Sequence, residues 1–124
     1  MEGDILMKIQ ESAENYLETI LMLGKAKGNV RSIDIATALS FSKPSVSVAM
    51  KNLRENGYIL MDKDGFIALT EKGHEIAETI YERHTLLSSF LMYLGVSKET
   101  ATQDACRIEH VISPESFEAL KQHV

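Results

Sequence analysis

The chain has 124 residues, 44% hydrophobic and 25% charged, with 13 Lys and Arg against 18 Asp and Glu, for a formal net charge of −5. That length suits one ordinary domain or two small ones sharing an interface. No apolar run approaches the roughly 18–20 residues that cross a bilayer, and MEGDILMKIQ does not read as a signal peptide. The single cysteine, Cys106, forms no internal disulfide, so a cytoplasmic protein without a membrane partner is expected.

An acidic total argues against nucleic acid. Divided by segment, it reads differently. Residues 1–24 carry one Lys against five acids, residues 25–72 eight basic side chains against five acids, and residues 73–124 four against eight. A basic middle therefore lies between two acidic flanks.

Taken in chain order, the apolar spacing predicts mostly helices. Residues 11–24 form a first helix, with Tyr16, Leu17, Ile20, Leu21 and Leu23 inward, Glu11, Glu14 and Glu18 on another face, and Gly24 as the stop. Residues 32–40 form a short helix capped by Ser32, with Ile33, Ile35, Ala36 and Leu39 inward. A tight connection at Phe41 leads into a helix capped by Ser42, with Pro44 in its first turn and Gly57 after its end. Its apolar side is Val46, Ala49, Met50 and Leu53. The period then shortens. Residues 58–61 and 66–69 read as strands joined by Asp62-Lys63-Asp64-Gly65, a hairpin signal. Thr70 caps a long helix over 71–94 that Gly95 ends, Ser97 caps another over 98–112, and Ser113-Pro114-Glu115 opens a last helix that runs to the chain end.

This order is that of a winged helix-turn-helix. The predicted fold is mainly α with a small β-hairpin wing: a winged helix-turn-helix over 1–72, then a helical domain over 73–124. In such a unit the helix at 43–56 enters the major groove and the hairpin tip lies along the DNA backbone. Ser42, Lys43, Ser45 and Ser47 make a small, polar leading turn that can approach phosphates and base edges, and Pro44 offers an apolar edge to a thymine methyl. Lys25, Lys27, Arg31, Lys51, Arg54 and Lys63 are the phosphate-contact candidates. The alternative is a winged helix used for protein contacts, with these lysines merely solvated.

Cys106, Glu109 and His110 stand at i, i+3 and i+4 of one predicted helix and so share a face. Thiolate, carboxylate and imidazole form a ligand set softer than magnesium or calcium selects. Three ligands from one helix rarely close a first-row metal site, so others must come from elsewhere. The competing reading is a small buried cysteine beside a solvated Glu-His pair. The chain holds no Gly-rich phosphate loop and no motif for an activated nucleophile, so it is not read as an enzyme.

Tyr16-Leu17-Glu18, the winged helix at 25–69, Arg83-His84 with Leu86-Leu87, and Cys106-Arg107-Ile108-Glu109-His110-Val111 together resemble the DtxR/MntR family of metal-dependent repressors. The resemblance covers nearly the whole chain in the right order. It implies a winged helix-turn-helix followed by a helical dimerisation domain, with Mn(II) or Fe(II) bound between them as co-repressor. It also implies a homodimer on double-stranded palindromic operator DNA, controlling metal-ion homeostasis genes. Cys106, Glu109 and His110 match the family's ligand helix, His84 its long-helix histidine, and Glu18 the first-helix carboxylate of the manganese-type members. Asn15 stands where the family supplies Asp or Met, a neutral donor in place of a stronger one. Ser88 and Thr102 replace the Glu and His of the iron-type ancillary site. Cys106 thus resembles the iron-type members and Glu18 the manganese type. Longer members carry a third, SH3-like domain, for which a chain ending at Val124 leaves no room.

The remaining expectations are plain. His74 and His123 are solvent-exposed. Leu86, Leu87, Phe90, Leu91 and Leu94, with Val111, Ile112, Phe117 and Leu120, are dimer-interface candidates, each with an internal-core alternative.

Overall fold

The computed structural model describes residues 2–123, and their side chains from residue 10 onward. Its elements are α1 (Glu2–Lys27), α2 (Ser32–Leu39), α3 (Lys43–Glu55), β1 (Ile59–Met61), β2 (Ile67–Leu69), α4 (Glu71–Tyr93), α5 (Lys98–Val111) and α6 (Pro114–Gln122). The chain forms two compact units, one through Glu78 and one from Thr79 onward, with the division inside α4.

In the first unit α1 is longer than the sequence predicts. Gly24 does not end it. A helical glycine costs about 1 kcal/mol but breaks nothing, whereas Gly28, at φ 89°, takes a left-handed turn that stops the helix. Tyr16, Leu17, Ile20 and Leu21 are buried as expected. Glu18, expected on another face than these apolar residues, is buried with them, only 5% exposed. Residues three apart share a helix face, so Glu18 falls beside Leu21 rather than opposite it.

Around the helix-turn-helix the caps are local. Arg31, not Ser32, is the N-cap of α2, because Asp34 Oδ2 accepts the Arg31 backbone N–H at 2.9 Å. The other carboxylate oxygen takes a 2.6 Å bond from Lys27 Nζ. Ile33 therefore starts the helix on its outer side, 46% exposed, while Ile35 and Ala36 are buried. Ser40 closes α2 in the left-handed region at φ 57°. Phe41 then meets Tyr16 edge to face, with ring centroids 6.0 Å apart, which pins the turn to α1. Ser42 caps α3 through a 3.3 Å bond from the Ser45 N–H, and Val46, Met50 and Leu53 are buried beneath the helix.

The wing is a two-stranded antiparallel ribbon in which Ile59 pairs with Leu69 and Met61 with Ile67. Its strands are shorter than the apolar runs. Asp62 Oδ1 gathers the N–H groups of Asp64 and Phe66, each at 2.9 Å, which draws Phe66 into the loop. Ile67 N–H also donates to the Val30 carbonyl at 2.7 Å, joining the approach to α2 to the wing. Thr70 caps α4 by accepting the Gly73 N–H, and its hydroxyl donates to the Gly57 carbonyl.

In the second unit the buried positions include Ile80, Leu87, Ala101, Ala105 and Phe117. Leu87 and Phe117 are thus core residues, whereas Leu94 and Val111 are 61% and 58% exposed, with Tyr93 at 85%. Ser97 and Ser113 cap α5 and α6 as predicted. The expected run of the last helix to the chain end reaches residue 124, outside the described residues; within them α6 stops at Gln122.

Candidate metal centre and nucleic-acid interface

Ala101, Ala105 and Glu109, spaced four apart, form the buried stripe of α5. Two small residues thus lead to a carboxylate on the same line, and the Glu109 side chain has no solvent exposure. Cys106 and His110 flank it one turn back and one residue on. Cys106 is exposed, and the His110 side chain is 8% exposed. One ligand atom from each of the three residues lies within 4.8 Å of the others. From α4, His84 Nδ1 lies 2.8 Å from Glu109 Oε2, while His110 Nε2 stands 3.4 Å from Glu109 Oε1. The structure therefore brings together four of the predicted ligand residues within one unit.

The donor set fits a divalent transition ion. A carboxylate removed from water requires compensating charge or hydrogen bonds. Glu109 Oε1 is buried and accepts no hydrogen bond among the described residues. Imidazole, carboxylate and thiolate together are anionic once the cysteine ionises, and they suit Fe, Mn, Co or Zn rather than a hard oxygen-seeking ion. Asn15 and Glu18 lie on α1, in the other unit. Asn15 is half-buried and its carbonyl accepts the Thr19 hydroxyl at 2.8 Å. His74 and His123 are exposed, and His74 faces Glu78 at 3.4 Å.

Sequence reasoning noted Arg83 beside His84 but gave it no role; its Nη1 donates to the carbonyls of Glu109 and Ile112, each at 3.1 Å. No local pattern marks such a contact, because its partners lie more than twenty residues away.

On the first unit, Ser42, Lys43, Pro44, Ser45, Ser47, Lys51, Arg54 and Lys63 are all exposed, as are Lys25, Lys27 and Arg31. Three of the basic groups have partners within the chain. Lys27 is tied to Asp34, Lys25 stands 3.9 Å from Glu78 Oε1, and Arg31 stacks over the Phe66 ring at 4.2 Å. Ser42 Oγ donates to Ser45 Oγ at 2.8 Å, so the leading turn of α3 is pre-ordered. Val48, also missed, is 61% exposed on the outer face of α3. Its place was legible, since the buried 46, 50, 53 period leaves 48 outward.

Residues 8–67 match the family model described as the iron dependent repressor N-terminal DNA binding domain, and residues 70–124 its metal binding and dimerisation domain. The transcriptional regulator MntR of Escherichia coli O6:H1 is 36% identical over 112 residues, covering 90% of this chain and 72% of the relative. The chain belongs to the DtxR/MntR family of metal-dependent transcriptional repressors. The MntR regulator of Geobacillus kaustophilus is 39% identical over 102 residues, 82% of this chain and 72% of that one. Among solved structures, the manganese regulator SloR superposes with a TM-score of 0.79 at 31% identity, over 90% of this chain and 52% of SloR. The chain thus spans about half the length of that DtxR/MntR-family structure.

Proposed function

We propose that this chain is a metal-activated repressor of metal-ion homeostasis genes, acting in the cytoplasm as a homodimer on palindromic operator DNA, with Fe(II) or Mn(II) as co-repressor. The observation that carries the reading is the buried Glu109 carboxylate set among His84, His110 and Cys106. Asn15 and Glu18 of α1 are proposed to complete the ligand set, a role supported by the match of Tyr16-Leu17-Glu18 to the family's first helix. A divalent ion supplies there the positive charge that a cluster of acidic and thiol donors lacks. Every other part of the switch belongs to the chain. Glu109 and His84 hold each other in register, Cys106 tunes the site toward softer metals, and α1 carries its donors on the helix against which α2 and β2 pack. Ligands on both units couple the site to α3, whose Ser42–Ser47 turn and Lys43, Lys51 and Arg54 read and grip the duplex.

Fluorescence anisotropy on operator DNA under anaerobic conditions tests this. Affinity is expected to rise about 100-fold when Mn(II) or Fe(II) replaces chelator, a coupling of about 2.7 kcal/mol. Equal affinity in chelator would leave a winged-helix regulator without metal control.

A further inference from the structure

Arg83 stands beside His84 on α4, half-buried, and its guanidinium Nη1 reaches the end of α5. We propose that Arg83 is a positioning residue for the metal centre: it fixes the last turn of α5 so that Glu109 presents its carboxylate to His84. This rests on the metal-centre reading above.

α5 ends at Val111, so the Glu109 carbonyl is among the last four of the helix, which have no donor within it. Arg83 Nη1 supplies one, 3.1 Å away, and bonds the Ile112 carbonyl just beyond at the same distance. A cation there also faces the negative end of the helix dipole. Two consecutive residues of α4 thereby hold both ends of Glu109, Arg83 by the main-chain oxygen and His84 by the carboxylate Oε2 at 2.8 Å. Slipping the end of α5 by one residue would swing the side chain by about 100°, out of reach of the imidazole. The guanidinium lies 5.6 Å from the Phe117 ring centroid, and its Nε is buried without a hydrogen bond among the described residues. A Met or Leu would fill such a place without stranding a donor. What hydrocarbon cannot supply is the two-pronged grip on the backbone that carries Glu109.

The test is an anaerobic Co(II) titration of the full chain, followed by visible absorption, for the wild type and R83M, R83Q and R83K. Circular dichroism of the metal-free proteins runs beside it. R83M and R83Q are expected to keep their helical content, to bind Co(II) about 10-fold or more weakly, and to show an altered ligand-field band. R83K, which can still donate to the same carbonyls, is expected to recover part of the affinity. A folded R83M or R83Q with wild-type affinity and spectrum overturns the proposal, even if its melting temperature falls. Should R83M fail to fold, R83Q decides; should both fail, Arg83 is a folding residue and the positioning role is overturned. A wild type that binds no Co(II) overturns the metal-centre reading itself, a separate and recognisable result.

Discussion

Glu109 combines two costs that normally exclude each other: full burial and a charge with one oxygen accepting no hydrogen bond among the described residues. Burying a charge costs free energy unless it is fully hydrogen-bonded, and Glu109 Oε1 accepts no hydrogen bond among the described residues, so a neutral isostere that keeps the His84 contact relieves part of that cost. Glu109→Gln keeps an oxygen for His84 and removes the charge. Its metal-free melting temperature is expected to equal or exceed that of the wild type, while the stabilisation gained on adding Mn(II) or Co(II) disappears. A metal-free Gln variant that melts several degrees lower would assign the carboxylate a structural role instead. Cys106→Ala is expected to weaken Zn(II) and Co(II) binding at least about tenfold and Mn(II) less, because sulfur favours the softer ions; calorimetric titration with each metal separates them. Asp34 is a different kind of acid. The Lys27 hydrogen bond, and after it the Arg31 backbone N–H, hold its carboxyl below the ordinary 3.8. A depressed carboxylate stabilises the fold above its unfolded value and loses that contribution as the pH falls through the folded one. The melting-temperature gap between the wild type and Asp34→Asn is therefore expected at pH 7 and should close on acidification below about pH 4. A gap unchanged across that range would assign the effect to lost packing. Of these residues, Cys106 and Glu109 were legible from spacing alone as neighbours on one helix face, and the structure brings their donor atoms together. The burial of Glu18 and the grip of Arg83 were not, because each depends on what packs across the helix rather than on what precedes it in the chain.

Among elements, the hairpin and the helix order were written in local signals: Asp62 through Gly65 in the wing, and the hydroxyl caps Ser42, Thr70, Ser97 and Ser113. The misplaced boundaries share one cause, a local stop signal outweighed by a contact farther away. Gly24 is a permissible stop, but Gly28 adopts the turn, and Ser32 is a good cap, yet Asp34 serves the residue before it. The Val30–Ile67 bridge lies outside any pattern, since a single residue has no period. The junction between wing and α4 shows how tight such a contact can be. A Cβ built on Gly73 would lie 2.0 Å from the Tyr58 carbonyl oxygen, a backbone atom that cannot rotate away. That carbonyl also accepts the Thr70 N–H, and the Thr70 hydroxyl holds Gly57. Gly73→Ala must therefore separate α4 from the start of β1. A loss of about 1–3 kcal/mol in denaturant unfolding is expected, the ordinary cost of overpacking. Alanine favours helices, so an unchanged or raised midpoint would mean that this junction yields freely.

For the molecule as a whole, charge and apolar exposure divide the labour. The basic excess of residues 25–72 lies on the unit that carries α3, and the acidic flanks include the proposed ligands Glu18 and Glu109, so a net −5 counts a repressor before its cation is added. A palindromic site needs two recognition helices, and this chain has one. The second unit belongs to the family's metal binding and dimerisation domain, and its exposed apolar side chains include Tyr93 at 85%, Leu94 at 61% and Val111 at 58%. Large apolar side chains left to solvent at such levels cost free energy that a second copy can recover by covering them. Leu87 and Phe117 are spent in the core, so the dimer contact must be built from the outer set. A doubly substituted Leu94→Asp, Val111→Asp chain places two charges there without touching a buried position. Sedimentation is expected to find it monomeric at concentrations where the wild type is dimeric. Its Co(II) spectrum should be retained, since the four ligand residues proposed for the second unit lie within one chain. Binding to a full operator should then fall to the level of a single half-site while remaining salt-sensitive, because the phosphate contacts of each winged helix survive. A variant that stays dimeric would move the interface to another face of the second unit. One that becomes monomeric yet binds the palindrome at full strength would show that the two half-sites are read without the contact.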